Sequence, residues 1–104
     1  MMAEFVKVAT IDKVPVGKKI KVEAKNKEIM LSNIDGKIYA IDNICSHEQC
    51  GLDEGDLEGN IITCPCHGAK YDARTGNGMK ETPWGTGQDS FEVKIQGKNI
   101  FVKI

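Results

Sequence analysis

The chain is poor in long apolar runs and has no surplus of charge of either sign. Its 104 residues include 14 basic and 15 acidic side chains, so the formal net charge is −1 at pH 7. It has no basic run and no interleaving of basic and aromatic residues, which argues against nucleic-acid binding. No stretch approaches the roughly 20 apolar residues that span a bilayer, and the first residues lack the apolar core of a signal peptide. We therefore expect a cytoplasmic protein with no membrane or nucleic-acid partner.

Internal repeats and low-complexity linkers are also missing, so we expect one domain. A chain of this length buries roughly two-thirds of its unfolded surface, which is enough for a modest core. Apolar residues recur mostly with a period of two, and this alternation is typical of strands. We predict strands at Phe5–Ala9, Lys19–Glu23, Glu28–Ile34, Lys37–Asn43, Asn60–Cys64, Ala69–Asp72, Ser90–Ile95 and Asn99–Ile104.

Turn residues separate these predicted strands. The dipeptide Asp35-Gly36 lies between two alternating runs and predicts a two-residue hairpin turn. Glu58-Gly59-Asn60 and Gln96-Gly97-Lys98 predict two more turns. Only the stretch from Thr10 to Val14 suggests a helical turn. These signals together predict an all-β, antiparallel protein.

Histidine is scarce, and both histidines lie beside cysteines. The two segments are Cys45-Ser-His47 and Cys64-Pro-Cys-His67, and sixteen residues separate them. A soft thiolate beside a borderline imidazole favours iron or zinc over hard cations, which prefer oxygen ligands. Any chemistry that needs an imidazole must therefore take place at these segments.

Two kinds of metal site fit this ligand set. Zinc accepts two cysteines and two histidines in a tetrahedron. Structural zinc modules of that composition usually open with a cysteine pair and close with a histidine pair. This chain instead puts one ligand of each kind in each segment, which is the pattern of an iron-sulfur cluster with mixed ligands.

The two segments resemble the boxes of the Rieske iron-sulfur family. They contain Cys45-Ser-His-Glu-Gln-Cys-Gly and Cys64-Pro-Cys-His-Gly-Ala-Lys-Tyr-Asp, and the likeness is strong in the central third of the chain. It implies one 2Fe-2S cluster, with Cys45 and Cys64 on the buried iron and His47 and His67 on the outer iron. Such centres have potentials of roughly −150 to +300 mV, against about −400 mV for plant-type ferredoxins, because neutral imidazoles replace two thiolates.

The resemblance also implies an architecture, a small antiparallel β sandwich with an inserted cluster-binding subdomain. We place the subdomain at about residues 44–76 and the base at residues 1–43 and 77–104. A further segment, Pro83-Trp84-Gly85, either forms a third loop over the cluster or is an ordinary surface turn.

Cys50 and Cys66, one in each box, are implied to form a disulfide, as cysteines at these positions do in respiratory and photosynthetic members. The alternative is two reduced cysteines packed as small apolar side chains, since cytosolic thiols are normally kept reduced. The composition, with thirteen lysines and one arginine, suggests a thermophile. Intracellular proteins of hyperthermophiles can carry disulfides.

Five further residues are implied to tune the cluster. In relatives with a tyrosine at Tyr71, the hydroxyl donates to the sulfur of the first ligand cysteine and raises the potential; a packed core aromatic is the alternative. High-potential members of the family carry serine where this chain has Ala69, so we expect a reduction potential below that of those members. Pro65 is expected to shape the second loop, and Gly51 and Gly68 to let backbone amides approach the sulfurs.

The resemblance predicts an electron carrier and not an enzyme, since no histidine remains for the mononuclear iron site of an oxygenase. We expect a monomeric one-electron carrier between a reductase and a terminal oxygenase or other terminal redox enzyme. The alternative is the small Rieske subunit of a nitrite reductase or arsenite oxidase type complex. Acidic residues near the boxes either steer a basic partner or form a solvated surface: Glu48, Asp53, Glu54, Asp56 and Glu58.

Overall fold

The computed structural model describes residues 4–44, 50–66, 68–79 and 87–104. Over these ranges the chain forms ten strands and two short 3-10 helices, Ile11–Lys13 and Leu52–Glu54, and none of its helices is long and apolar enough to cross a membrane. The strands are β1 (Phe5–Thr10), β2 (Lys19–Ala24), β3 (Lys27–Ile34), β4 (Lys37–Asp42), β5 (Asp56–Glu58), β6 (Ile61–Thr63), β7 (Lys70–Asp72), β8 (Ser90–Phe91), β9 (Val93–Gln96) and β10 (Asn99–Lys103).

The strands form three antiparallel sheets. The largest has the order β2-β3-β4-β8, a second has the order β1-β10-β9, and the third has the order β5-β6-β7. The first two sheets contain strands from both ends of the chain, whereas the third contains only residues from 56 to 72. The third sheet is therefore a local insertion between β4 and β8. This arrangement confirms the predicted all-β antiparallel sandwich.

Alternate residues of β3 supply two separate cores, because successive side chains of a strand point to opposite faces of the sheet. Ile29 and Leu31 pack with Ile100 and Val102 of β10, which forms the core of the base. Met30 belongs to the second core, which joins the central sheet to the inserted one. That core also contains Ile41, Leu52, Ile62, Cys64, Ala69, Tyr71 and Ala73.

Two tight hairpins define the central sheet. Asp35 and Gly36 have φ values of 56° and 91°, as a type I′ turn requires at both central positions, so the predicted turn is confirmed. The turn between β2 and β3 was not predicted. It is formed by Lys25 and Asn26, whose φ values are 49° and 65°. The side chain of Lys25 donates to the carboxylate of Glu4 at 3.1 Å, an ion pair across the base.

In two regions the observed strands differ from the predicted ones by more than one residue at their ends. Strand β5 was missed, because Asp-Leu-Glu offers one apolar residue and follows a turn. The single strand predicted over 90–95 is interrupted at Glu92 and forms β8 and β9. The predicted helical turn near Thr10 is a 3-10 helix. Residues 45–49 and the Pro83-Trp84-Gly85 segment lie outside the described residues.

Candidate metal centre

The first cluster loop leaves the central sheet at the end of β4 and returns beside it. Ile44 and Gly51 form an isolated antiparallel bridge, so the two ends of the loop are adjacent. The 3-10 helix that follows buries Leu52 completely. The predicted ligands Cys45 and His47 lie outside the described residues.

The second cluster loop connects β6 to β7, and Cys64 lies at its base. The backbone N–H of Cys64 donates to the carbonyl of Ala69 at 2.8 Å, and the N–H of Gly68 donates to the carbonyl of Cys64 at 3.1 Å. Gly68 has a φ of +72°, a backbone conformation that favours glycine. Pro65 and Cys66 are exposed at the tip, and His67 lies outside the described residues.

A disulfide between Cys50 and Cys66 joins the two loops. The Cα atoms are 6.4 Å apart, within the usual range for such a bond, and sixteen positions separate the two cysteines in sequence. The predicted disulfide is therefore confirmed. It brings the end of the box that contains Cys45 next to the box that contains Cys64.

The side chain of Cys64 is 2% exposed and lies in an apolar core with Leu52, Ile62 and Tyr71. Burying a charged thiolate in such surroundings is costly unless a metal or another cation compensates it. The loop tip beyond Cys64 faces solvent. A buried thiol at the base of one loop, tied by a disulfide to a second loop with a cysteine and a histidine, fits a cluster with an inner and an outer iron.

Two residues predicted to tune the cluster are buried below this loop. Tyr71 and Ala69 both have no exposed surface, and Tyr71 pairs with Ile62 across β6 and β7. Ala69 brings only a methyl group to this position. Gly51 is constrained by its surroundings, because a Cβ atom there would lie 2.5 Å from Oδ1 of Asp53.

Asp72 and Arg74 form a charged pair where β7 ends. Nε and Nη2 of Arg74 donate to the two carboxylate oxygens of Asp72 at 3.1 and 3.0 Å, and the backbone N–H of Arg74 donates to Oδ1 at 2.9 Å. These hydrogen bonds from Arg74 lower the pKa of Asp72 below its usual value. The same pair raises the pKa of Arg74. The pair closes the turn that follows the inserted sheet.

Sequence reasoning missed two amide side chains beside the first loop, those of Asn43 and Gln88. Asn43 is fully buried. Gln88 is half-buried and lies two residues before the start of β8. The backbone N–H of Gln88 donates to the carbonyl of Gly76 at 2.6 Å. No motif signals either residue, because their partners are defined only once the loops are folded.

The chain is similar to known proteins over nearly its whole length. The family description "Rieske [2Fe-2S] domain" matches residues 4–102. A ferredoxin component of naphthalene 1,2-dioxygenase/salicylate 5-hydroxylase systems from Ralstonia sp. is 34% identical over 104 residues, which is 100% of this chain and 99% of the relative. A naphthalene 1,2-dioxygenase ferredoxin component from Pseudomonas aeruginosa is 30% identical with the same coverage.

Solved structures of ferredoxins are also similar to this chain. The ferredoxin of carbazole 1,9a-dioxygenase from Nocardioides aromaticivorans IC177 has a TM-score of 0.87 and 31% identity, covering 94% of this chain and 95% of that one. These relatives are named as ferredoxins or ferredoxin components, which confirms the prediction of an electron carrier. With its cysteine and histidine boxes, the disulfide between the two loops and a family match that spans nearly its whole length, the chain belongs to the Rieske 2Fe-2S family.

Proposed function

We propose that this protein is the ferredoxin of an oxygenase system, carrying single electrons from a reductase to a terminal oxygenase. The observation that supports this most directly is the end-to-end match to ferredoxin components of dioxygenase systems. A solved complex of reduced oxygenase and oxidized ferredoxin in carbazole 1,9a-dioxygenase has the same fold at a TM-score of 0.87 and 25% identity. We place the carrier in the cytoplasm with these partners.

We further propose that Cys45, Cys64, His47 and His67 hold one 2Fe-2S cluster. When bound, the cluster accepts and releases one electron at a time. Cys64 excludes water from the inner side, because it is buried in the core between the inserted sheet and the central sheet. Pro65 and Cys66, which precede His67 in the sequence, are exposed at an edge where a partner can approach.

The disulfide serves the same function by holding the two loops at a fixed separation. Electron transfer is efficient when the surroundings move little as the charge of the site changes, since pre-organised groups need not rearrange. The disulfide joins Cys50, next to the Ile44–Gly51 bridge at the base of the first loop, to Cys66 near the exposed tip of the second loop. The core around Leu52 and Tyr71 fixes the bases of both loops.

The proposal is tested by assembling the 2Fe-2S cluster in the purified protein, which we then call the loaded protein. Its redox titration is followed by electron paramagnetic resonance. We expect a signal of low average g, two irons and two acid-labile sulfides per chain, and a potential that falls at alkaline pH as iron-bound imidazole loses a proton. A colourless protein that contains zinc and no sulfide would contradict the proposal.

The partner assignment is tested separately with a purified reductase and terminal oxygenase of a dioxygenase system. We expect the loaded protein to support substrate-dependent turnover, and the His67→Cys variant to support much less because its potential falls. A tightly bound large subunit that co-purifies with the chain would instead favour a permanent subunit, of the nitrite reductase or arsenite oxidase type, over a free carrier.

A further inference from the structure

We infer that Asn43 and Gln88 are positioning residues that fix the backbone leading into the first cluster loop. They hold the segment from Asp42 to Ile44, and Ile44 directly precedes the predicted ligand Cys45. This inference rests on the proposed function, because it concerns how the chain presents that ligand. Neither residue contributes a cysteine or an imidazole, so each acts through the backbone.

Asn43 connects the outgoing limb of the loop to the returning limb. Its side chain has no exposed surface. Nδ2 donates to Oδ1 of Asp53 at 2.8 Å, and the backbone N–H of Asp53 donates back to Oδ1 of Asn43 at 2.9 Å. The N–H of Leu52 donates to the carbonyl of Asn43 at 2.7 Å. One residue therefore makes three hydrogen bonds to the returning limb.

The same residue is tied to the central sheet. The backbone N–H of Asn43 donates to the carbonyl of Glu28 at 2.9 Å, and Nδ2 lies 3.4 Å from Oε1 of Glu28. Asp53 is held as well, since Nζ of Lys19 donates to its carbonyl at 2.6 Å. The packing is close, because a Cβ atom on Gly51 would lie 3.1 Å from Nδ2 of Asn43. The loop is thus fixed to two strands of the base.

Gln88 holds the adjacent carbonyl groups from the other side. Its Nε2 donates to the carbonyl of Asp42 at 2.9 Å and to the carbonyl of Ile44 at 2.5 Å. Its own position is fixed by Gly76, where an added Cβ would lie 2.1 Å from the carbonyl oxygen of Gln88. The carbonyl of Ile44 belongs to the peptide bond that joins Ile44 to Cys45. Gln88 therefore acts one peptide bond away from the ligand.

Loss of either amide should loosen the ligand loop more than it disturbs the fold. A buried partner left without its hydrogen bond destabilises the fold. Groups that orient the ligands of a metal are more sensitive, and their substitution typically costs 10–100-fold in metal affinity. The expected signature is therefore loss of the cluster that exceeds what the loss of stability explains.

The experiment compares Asn43→Ala and Gln88→Met with Asn33→Ala in the loaded protein. Asn33 is a matched control, because it is a buried asparagine of the central sheet and, among the described residues, its side chain bonds to the carbonyl of Val14 and the N–H of Gly36, both in the base. Iron release to a chelator is followed by absorbance, and unfolding by urea is measured for each variant.

We expect iron release to accelerate about 10–100-fold in Asn43→Ala and Gln88→Met, with altered g values. Asn33→Ala should lose stability and keep its release rate and spectrum. Asp53→Asn keeps an acceptor oxygen and the backbone donor, so it should stay close to the parent protein. Gln88→Met preserves side-chain length at a half-buried position, which keeps the test available if Asn43→Ala does not fold.

Release rates and spectra of both variants equal to those of Asn33→Ala would overturn the inference. That outcome is distinct from failure of the proposed function, which would appear in the parent protein as the absence of a Rieske signal. A broadened signal in both variants, with secondary structure unchanged by circular dichroism, would support positioning of the ligand loop.

Discussion

At the scale of single residues, Tyr71 is the clearest test of how the protein sets its potential. It is fully buried in the core that contains Cys64. The family resemblance implies that its hydroxyl donates to the sulfur of Cys45, which favours the reduced, more negative state. Tyr71→Phe removes only that hydroxyl and should lower the potential. About 1.4 kcal/mol corresponds to about 59 mV for one electron, and we expect a fall of that order.

The control for this prediction is Tyr39→Phe. Tyr39 lies on β4, and Nζ of Lys37 is 5.5 Å from the centre of its ring. Its hydroxyl has no implied role at the cluster, so the potential should stay unchanged. Equal shifts in the two variants, measured by a titration of the visible spectrum, would show that the Tyr71 hydroxyl has no specific effect.

Asp72 and Arg74 predict how stability depends on pH at the end of β7. The pKa of Asp72 is lowered from 3.8 by its hydrogen bonds with Arg74, so the pair stabilises the fold above that pH. This contribution is lost as the pH falls through the lowered value, since the folded protein then binds the proton. Asp72→Asn should lower the free energy of unfolding by about 1 kcal/mol at pH 7.

Urea denaturation between pH 7 and pH 3 checks this prediction. The difference between the parent protein and Asp72→Asn should shrink as the pH falls below 3.8. Arg74→Ala should also be less stable than the parent protein at pH 7, and the double variant should be little worse than Asp72→Asn alone, because both changes remove the same pair. A constant difference at all pH values would rule out the ion pair as its source.

At the scale of elements, the disulfide is the feature whose removal has the most definite cost. Closing a loop of about 15 residues stabilises a protein by about 3 kcal/mol in the chain-entropy model. We expect the Cys50→Ala/Cys66→Ala variant to unfold at a lower urea concentration than the parent protein. Unfolding is measured by the visible absorbance of the loaded protein. A reductant should lower the midpoint of the parent protein and leave the variant unchanged. An equal response of both proteins would assign the effect to the cluster and not to the disulfide.

The elements also show what a sequence can predict. Strands β3 and β4 are readily predicted because each packs into two cores and is therefore rich in apolar residues, and Asp35-Gly36 is a recognised turn pair. Lys25-Asn26 forms the same kind of turn without a glycine, and β5 has one apolar residue, so local signals are weak there. The cysteine and histidine boxes indicated the site because its predicted ligands lie close together in sequence. Asn43 and Gln88 were not predictable, since they are 45 positions apart and meet only around the folded loop.

At the scale of the whole molecule, charge is divided between the inserted segment and the base. Residues 44–76 contain six acidic and two basic side chains, a net charge of −4, and the remainder contains nine acidic and twelve basic ones, a net charge of +3. Three acidic residues of the inserted segment are exposed, Glu54 at the end of the second 3-10 helix and Asp56 and Glu58 on β5. A protein with such a charge separation is oriented by the field of a charged partner before contact.

We therefore predict that Glu54→Gln/Asp56→Asn/Glu58→Gln slows electron transfer with a partner whose docking surface is basic. The rate at low salt should fall about threefold to tenfold, and its dependence on salt should become shallower, because salt screens exposed charges. The matched control is Asp35→Asn/Asp89→Asn/Glu92→Gln, which changes the net charge equally at exposed positions of the base. Electron-transfer rates measured by stopped flow between about 20 and 500 mM salt distinguish the two variants. An equal slowing of both variants would mean that net charge, and not its location on the inserted segment, determines the rate of association.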